Sequence, residues 1–336
     1  MYHEKYSWLF AGAFRPLFHK AVHHEMSVTM STHPKLKISG ISEYIGADVA
    51  GISIDDALAD EDLFAAIDRA LRRHLILRFR QQRIGPASIS DFMGRFGPAM
   101  DIRVSEQAVH VPGYNFIQML SGATDENGRR LGDDNTSEQT WHTDAGGWEV
   151  PPGVVFLYGR VIPEPAPRTH FKNMIKVYET LPQALKDRIA TLRAIHHPYP
   201  RAVDIEVHRN GPTLSREIRQ NGPAQPLVRR HLPTGKPVLY LPTRRDSVIP
   251  GLSDRESKIL LTELWDLTQA ADFDTALAIQ VDDLIVSDNI ATVHSRDGWP
   301  PALRRDVWHL LSEGESPTPM YPKKTVNPNV VGPAAY

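Results

Sequence analysis

The stretch Trp141-His142-Thr143-Asp144 sets an imidazole and a carboxylate one residue apart. On an extended segment side chains alternate between faces, so His142 and Asp144 would point to one side and Thr143 to the other. Both groups bind metals, one through nitrogen and one through anionic oxygen. A second imidazole from distant sequence would complete a two-histidine, one-carboxylate set, which leaves coordination positions open and is typical of non-haem Fe(II) centres. Catalytic zinc is held by similar ligands. Alone the pair is a weak signal, because 15 histidines and 40 acidic residues in 336 make chance His-x-Asp pairs common.

The residues that accompany it are more specific. Asp283-Leu284-Ile285-Val286-Ser287-Asp288-Asn289 leads into Ile290-Ala291-Thr292-Val293-His294, and Arg305 stands eleven positions beyond that histidine. Glu43-Tyr44-Ile45-Gly46-Ala47, Arg95-Phe96-Gly97, Pro151-Pro152, Tyr178-Glu179, Gly235-Lys236 and Arg304-Arg305 are spread in order along the chain. In these motifs the sequence resembles the taurine/2,4-dichlorophenoxyacetate dioxygenase (TauD/TfdA) family, from about Leu36 to about Leu311. The resemblance implies an enzyme that uses Fe(II), 2-oxoglutarate as co-substrate and O2. Such an enzyme hydroxylates or oxidatively cleaves a small organic substrate and releases succinate and CO2. It implies His142, Asp144 and His294 as the metal ligands. Arg305 becomes the anchor of the distal 2-oxoglutarate carboxylate, a planar group that a guanidinium grips with two N–H bonds. Thr169, 25 residues after Asp144, is the expected hydroxyl donor to the same carboxylate, although Ala166-Pro167-Arg168 replaces the glycine-rich approach of the family. Related halogenases carry a small residue in place of the carboxylate, so Asp144 argues for oxygen transfer.

The expected substrate contacts depart from the taurine dioxygenases. His309 stands where they place the arginine that holds the sulfonate, and Met100 lies in the segment after the Phe-Gly pair where they have a histidine. Glu138 replaces an asparagine four residues before the first ligand, and Ala145-Gly146-Gly147 replaces bulkier side chains, with Trp148 next in line. A buried sulfonate without cationic partners would be very unfavourable. These changes point to a substrate larger and less anionic than taurine, with Glu138 available to an amine and Gly147, Trp148, Met100 and His309 as further contacts.

Composition excludes several classes. A net charge of −2 gives no broad attraction to nucleic acid or to an anionic membrane surface, and no apolar run approaches the ~20 residues of a membrane span. The absence of cysteine excludes disulfides and thiolate ligands and fits a reducing, cytoplasmic setting. Residues 1–30 carry Glu4 before an apolar run and read as an N-terminal extension rather than a signal peptide. Residues 31–314 read as one domain, and 315–336 as a proline-rich tail. By resemblance the chain is expected to form a homodimer or homotetramer.

The elements that must position these residues follow from periodicity. Strands are expected at Lys35 to Ser39, Ala47 to Ile54, Leu75 to Phe79, Phe116 to Leu120, Val154 to Val161, Ala276 to Val281, Leu284 to Val286 and Leu303 to Leu311. Leu227 to Leu232 and Val238 to Leu241 should pair as a hairpin. Helices are expected at Asp60 to Arg73, Ser88 to Phe96, on either side of Pro182, and after the capping box Ser253-x-x-Glu256. Ala123 to Thr140 reads as a long loop placed to cover the site. Many short strands and ligands far apart in sequence suit a mainly β, double-sheet barrel with flanking helices. The resemblance makes it a jelly-roll (double-stranded β-helix) with the site in its mouth. Two other readings stay open from the residues alone: a zinc-dependent hydrolase on the same ligands, and a non-catalytic β-barrel binding protein.

Overall fold

The computed structural model of the chain describes residues 33–101, 109–129, 131–132, 136–196, 215–242 and 247–321. The N-terminal extension lies outside them, and the loop from Ala123 to Thr140 falls partly outside. The first half of the chain forms β1 (Lys37–Gly40), β2 (Ala47–Ala50), α1 (Ile54–Ala59), α2 (Glu61–His74), β3 (Ile76–Phe79), α3 (Pro86–Gly94), β4 (His110–Val111), β5 (Tyr114–Ser121), β6 (Gln139–His142) and β7 (Pro152–Val161). The second half continues with β8 (Arg168–Asn173), α4 (Met174–Thr180), α5 (Gln183–Ile189), β9 (Arg193–Ile195), α6 (Arg216–Arg219), β10 (Ala224–Pro226), β11 (Val228–Arg230) and β12 (Pro237–Leu239). It ends with α7 (Asp254–Ala270), β13 (Asp274–Ala278), β14 (Leu284–Asp288), β15 (Thr292–Arg296) and β16 (Asp306–Glu313).

Two sheets carry the architecture. The larger runs β1-β2-β3-β14-β7-β16-β5-β4 and the smaller β13-β8-β15-β6. Strands remote in sequence are neighbours in both, as a jelly-roll requires. Alternation sorts the larger sheet into two faces. Phe156, Tyr158, Leu284, Val286, Trp308 and Leu310 face outward and pack with α1, α2 and α3. Val155, Leu157, Ile285, Val307 and Leu311 face the other way and share a cluster with Phe171 and Leu277 of the smaller sheet. Each large apolar side chain fully buried here contributes about 1.5–3 kcal/mol.

The helices begin where the sequence offers caps. Asp60 accepts from the Leu63 N–H at 3.0 Å to open α2, whose Leu63, Ala66, Ile67, Ala70 and Leu71 form its buried stripe. Ser253 and Glu256 close the expected capping box on α7, and Trp265 of that helix donates to the Pro242 carbonyl at 2.8 Å. One expected strand is corrected: Ala47 to Ile54 ends at Ala50. Gly51 turns the chain at φ 84, and Ser53 with Asp56 forms a second capping box that starts α1. The tail also departs from a loose end as far as Tyr321. The Arg230 N–H donates to the Thr318 carbonyl at 2.8 Å and the Met320 N–H to the Val228 carbonyl at 3.0 Å, so this segment lines the edge of β11.

Candidate metal centre

The centre forms where β6 and β15 pair. His142 and His294 are direct cross-strand partners, with ring centroids 4.2 Å apart. Residues opposed in an antiparallel ladder project to the same face, so the ladder register itself brings together two imidazoles about 150 positions apart. The Nδ1–H of His142 donates to the Thr140 carbonyl at 2.6 Å. A carbonyl can only accept, so this bond fixes the tautomer and leaves the Nε2 lone pair for a metal. The His294 side chain is 12% exposed, and its partial burial, followed by repulsion from His142, lowers its pKa to about 3. Its imidazole is thus neutral, the state a metal requires.

Asp144 arrives differently from the strand alternation expected. β6 ends at His142, and residues 144–147 form a turn in which Ala145 takes a left-handed φ of 46. Asn289, between β14 and β15, holds that turn: its Oδ1 accepts from the Asp144 N–H at 3.1 Å, and its Nδ2 donates to the carbonyls of Asp144 at 2.9 Å and Pro152 at 3.0 Å. Thr143 is turned away, its hydroxyl 3.4 Å from the Thr292 carbonyl. The Asp144 carboxylate then faces the imidazoles, with Oδ1 3.6 Å from His142 Nε2 and 3.7 Å from His294 Nε2. Burial opposes its charge, but His294, His142 and His309 together hold the carboxyl well below the ordinary range. Ligand atoms of His142, Asp144 and His294 all lie within 4.8 Å of one another. Too distant to hydrogen-bond among themselves, two imidazoles and a carboxylate fit one borderline divalent cation.

Packing behind the turn depends on glycine. A Cβ on Gly146 would stand 3.2 Å from both His196 Nδ1 and the Tyr240 hydroxyl. Burial pushes the Tyr240 hydroxyl up to about 12, so it stays protonated and donates to the Gly146 carbonyl at 3.2 Å.

Arg305 sits immediately before β16, 4% exposed, with its guanidinium carbon 5.3 Å from the centre of the Trp299 ring. Arg296 lies over the same ring at 4.3 Å. Thr169, 2% exposed on β8, is the cross-strand partner of Arg296, two residues along the ladder from the pairing of Phe171 with His294. Arg305 and Arg296 thus share the Trp299 ring, and Thr169 stands opposite Arg296 of the strand that carries His294. The neighbouring Arg304 is half-exposed and paired with Asp306 at 2.5 Å.

The expected substrate contacts are dispersed. Gly147 is buried in the ligand turn, and Trp148 is half-buried with its carbonyl accepting from Gln225 at 2.6 Å. Met100 packs partly buried against the inner cluster, and Glu138 is exposed just ahead of β6. His309 is 8% exposed, with one nitrogen 3.2 Å from Asp144 Oδ2 and the other 3.0 Å from the Gln118 amide. Sequence reasoning missed Asn289 as the organiser of the turn, although Asp288-Asn289 stood among the family motifs. It also passed over His196 and His231. His196 stacks 5.2 Å from Tyr240 behind the turn, and His231 pairs with buried Asp288 at 2.8 Å.

The family model for the taurine catabolism dioxygenase TauD, TfdA family matches residues 37–311. Pentalenolactone F synthase of Streptomyces avermitilis is 28% identical over 292 residues, covering 83% of this chain and 92% of the relative. The α-ketoglutarate-dependent sulfonate dioxygenase of Saccharomyces cerevisiae is 25% identical over 294 residues, covering 84% and 68%. A crystal structure of a taurine dioxygenase from Burkholderia xenovorans superposes with a TM-score of 0.66 at 23% identity, covering 84% of this chain and 91% of that one.

Proposed function

The chain belongs to the taurine catabolism dioxygenase TauD, TfdA family, and on that premise we propose that it is a non-haem Fe(II)- and 2-oxoglutarate-dependent dioxygenase. It hydroxylates or oxidatively cleaves a small organic substrate other than taurine. The observation that carries this reading is the convergence of His142, Asp144 and His294. These three residues hold the metal. When bound, Fe(II) and 2-oxoglutarate supply activation of O2 for oxidation of a substrate carbon, with succinate and CO2 as co-products.

The chain's own residues supply placement. Thr140 holds His142 in the tautomer that offers Nε2, and Asn289 fixes the turn that presents Asp144. Arg305 receives the distal carboxylate of 2-oxoglutarate, and Thr169 donates a hydroxyl to it. A preorganised site of this kind orients the reactants and keeps water from the reacting carbon.

The substrate is larger and less anionic than taurine. Supporting this, both nitrogens of His309 are engaged within the protein, so the position offers no free cation to a sulfonate. Glu138 carries an exposed carboxylate for an amine. Succinate formation with panels of sulfonates, carboxylates and amines tests the reading. Turnover of a bulky amine or weakly charged compound is expected, and vigorous oxidation of taurine would overturn the substrate class. Hydrolysis of any of these compounds without O2 would overturn the reaction class.

A further inference from the structure

His309 is the point at which the larger sheet reaches the metal centre. It lies on β16 directly opposite Gln118 of β5 and Leu157 of β7. It shares strand parity with Val307 and Leu311, whose side chains enter the inner cluster. From there its ring extends to the ligand turn beside the smaller sheet, placing Nε2 3.2 Å from Asp144 Oδ2. The ionised carboxylate can only accept, so the bond is donated by the Nε2–H. On the far side of the ring, Oε1 of the Gln118 amide stands 3.0 Å from Nδ1 and sets the ring's orientation.

This gives the two oxygens of Asp144 separate partners. Oδ2 is tied to His309, while Oδ1 faces His142 and His294 at 3.6 and 3.7 Å. An untethered carboxylate can rotate about its χ2 and exchange one-oxygen for two-oxygen ligation. A tethered one presents a single oxygen, and outer contacts of this kind raise metal affinity by orienting the ligand. A receptor for a substrate anion would need a ring nitrogen facing open space, and both nitrogens of His309 face protein groups.

We propose that His309 is a positioning residue: with Gln118 it fixes the Asp144 carboxylate so that Oδ1 alone faces the metal, and it does not hold a substrate anion. The inference rests on His142, Asp144 and His294 being the metal centre.

The test is direct titration of the full-length, metal-free protein with Mn(II), followed by the electron paramagnetic resonance signal of the free ion. No 2-oxoglutarate or substrate is present, so neither turnover nor the substrate pocket enters. His309→Leu should raise the Mn(II) Kd about ten- to a hundred-fold, the usual loss when an outer partner of a ligand is removed. His309→Gln, whose amide N–H can take the place of Nε2–H, should bind close to the wild type. Gln118→Leu should shift the Kd in the same direction as His309→Leu, by less. Thermal melting of each variant separates folding from metal binding. Unchanged affinity in His309→Leu, or equal weakening by Leu and Gln at this position, would overturn the proposal. If His309→Leu does not fold, unchanged affinity in Gln118→Leu overturns it by the same criterion. Wild-type protein that fails to bind Mn(II) would instead overturn the metal centre on which the proposal rests.

Discussion

At the scale of single residues, the centre divides into groups that touch the metal or co-substrate and groups that hold those in place. On the proposed reading Arg305 belongs to the first kind. Truncating it would leave the distal carboxylate of 2-oxoglutarate without its charge partner, which at a buried site costs roughly 2–5 kcal/mol. Arg305→Ala should therefore raise the KM for 2-oxoglutarate by about one to three decades. Metal affinity measured without co-substrate should stay unchanged, and an unaltered KM would remove Arg305 from the role. The cluster of His142, Asp144 and His294 was legible in the sequence because imidazole and carboxylate at fixed intervals carry a narrow chemistry. Asn289 and Gln118 were not. Their amides act by bonding to the Asp144 backbone and to one ring nitrogen of His309, contacts that exist only once β5, β14 and β16 are assembled.

The element that most constrains the centre is the turn between β14 and β15. Asp288 ends β14 and is fully buried. It accepts from the N–H groups of Ile290 and Ala291 at 3.1 and 3.0 Å, pairs with His231 at 2.8 Å and meets Arg72 of α2 at 3.2 Å. One carboxylate thereby ties α2, the β11–β12 hairpin and the turn that carries Asn289. Removing one member of such a buried network destabilises by about 3–5 kcal/mol, so Asp288→Asn should shift the urea midpoint down by that equivalent. Burial alone would raise the Asp288 carboxyl, but the bond to His231 first, then the charges of His231 and Arg72, hold it below its ordinary value of 3.8. The native state therefore releases this proton more readily than the unfolded chain. Its contribution to stability is complete above about pH 4 and is lost as the pH falls through the lowered native value. The wild-type melting temperature should drop more steeply than that of Asp288→Asn as the pH falls below about 4; parallel curves would contradict this. Elements with strong periodicity, such as α2 and β7, could be read from the sequence. The β6–β15 ladder could not, because its register depends on pairing across about half the chain. α1 was masked by apolar alternation that continues past Gly51 into Ser53-x-x-Asp56.

Across the whole molecule, the larger sheet separates two cores with different duties. The outer core joins the sheet to α1, α2 and α3, and the inner one lies between the sheets and reaches the metal centre. Phe156→Ala in the outer core should cost about 3–5 kcal/mol of stability, yet leave the metal Kd of the folded protein unchanged, which thermal melting and metal titration would read separately. A double-sheet barrel could be anticipated from the short strands and distant ligands, and the family resemblance narrowed it to a jelly-roll. The extension at 1–30 and part of the loop at 123–140 lie outside the described residues. The central claim is that two imidazoles and one carboxylate, with Arg305 nearby, form a site for Fe(II) and 2-oxoglutarate. Anaerobic addition of Fe(II) and then 2-oxoglutarate tests it most directly. A visible charge-transfer band of the chelate should appear with the wild type, saturate near one equivalent and be absent in Asp144→Ala. Wild-type protein that gives no band, or an Asp144→Ala variant that gives the same one, would contradict it.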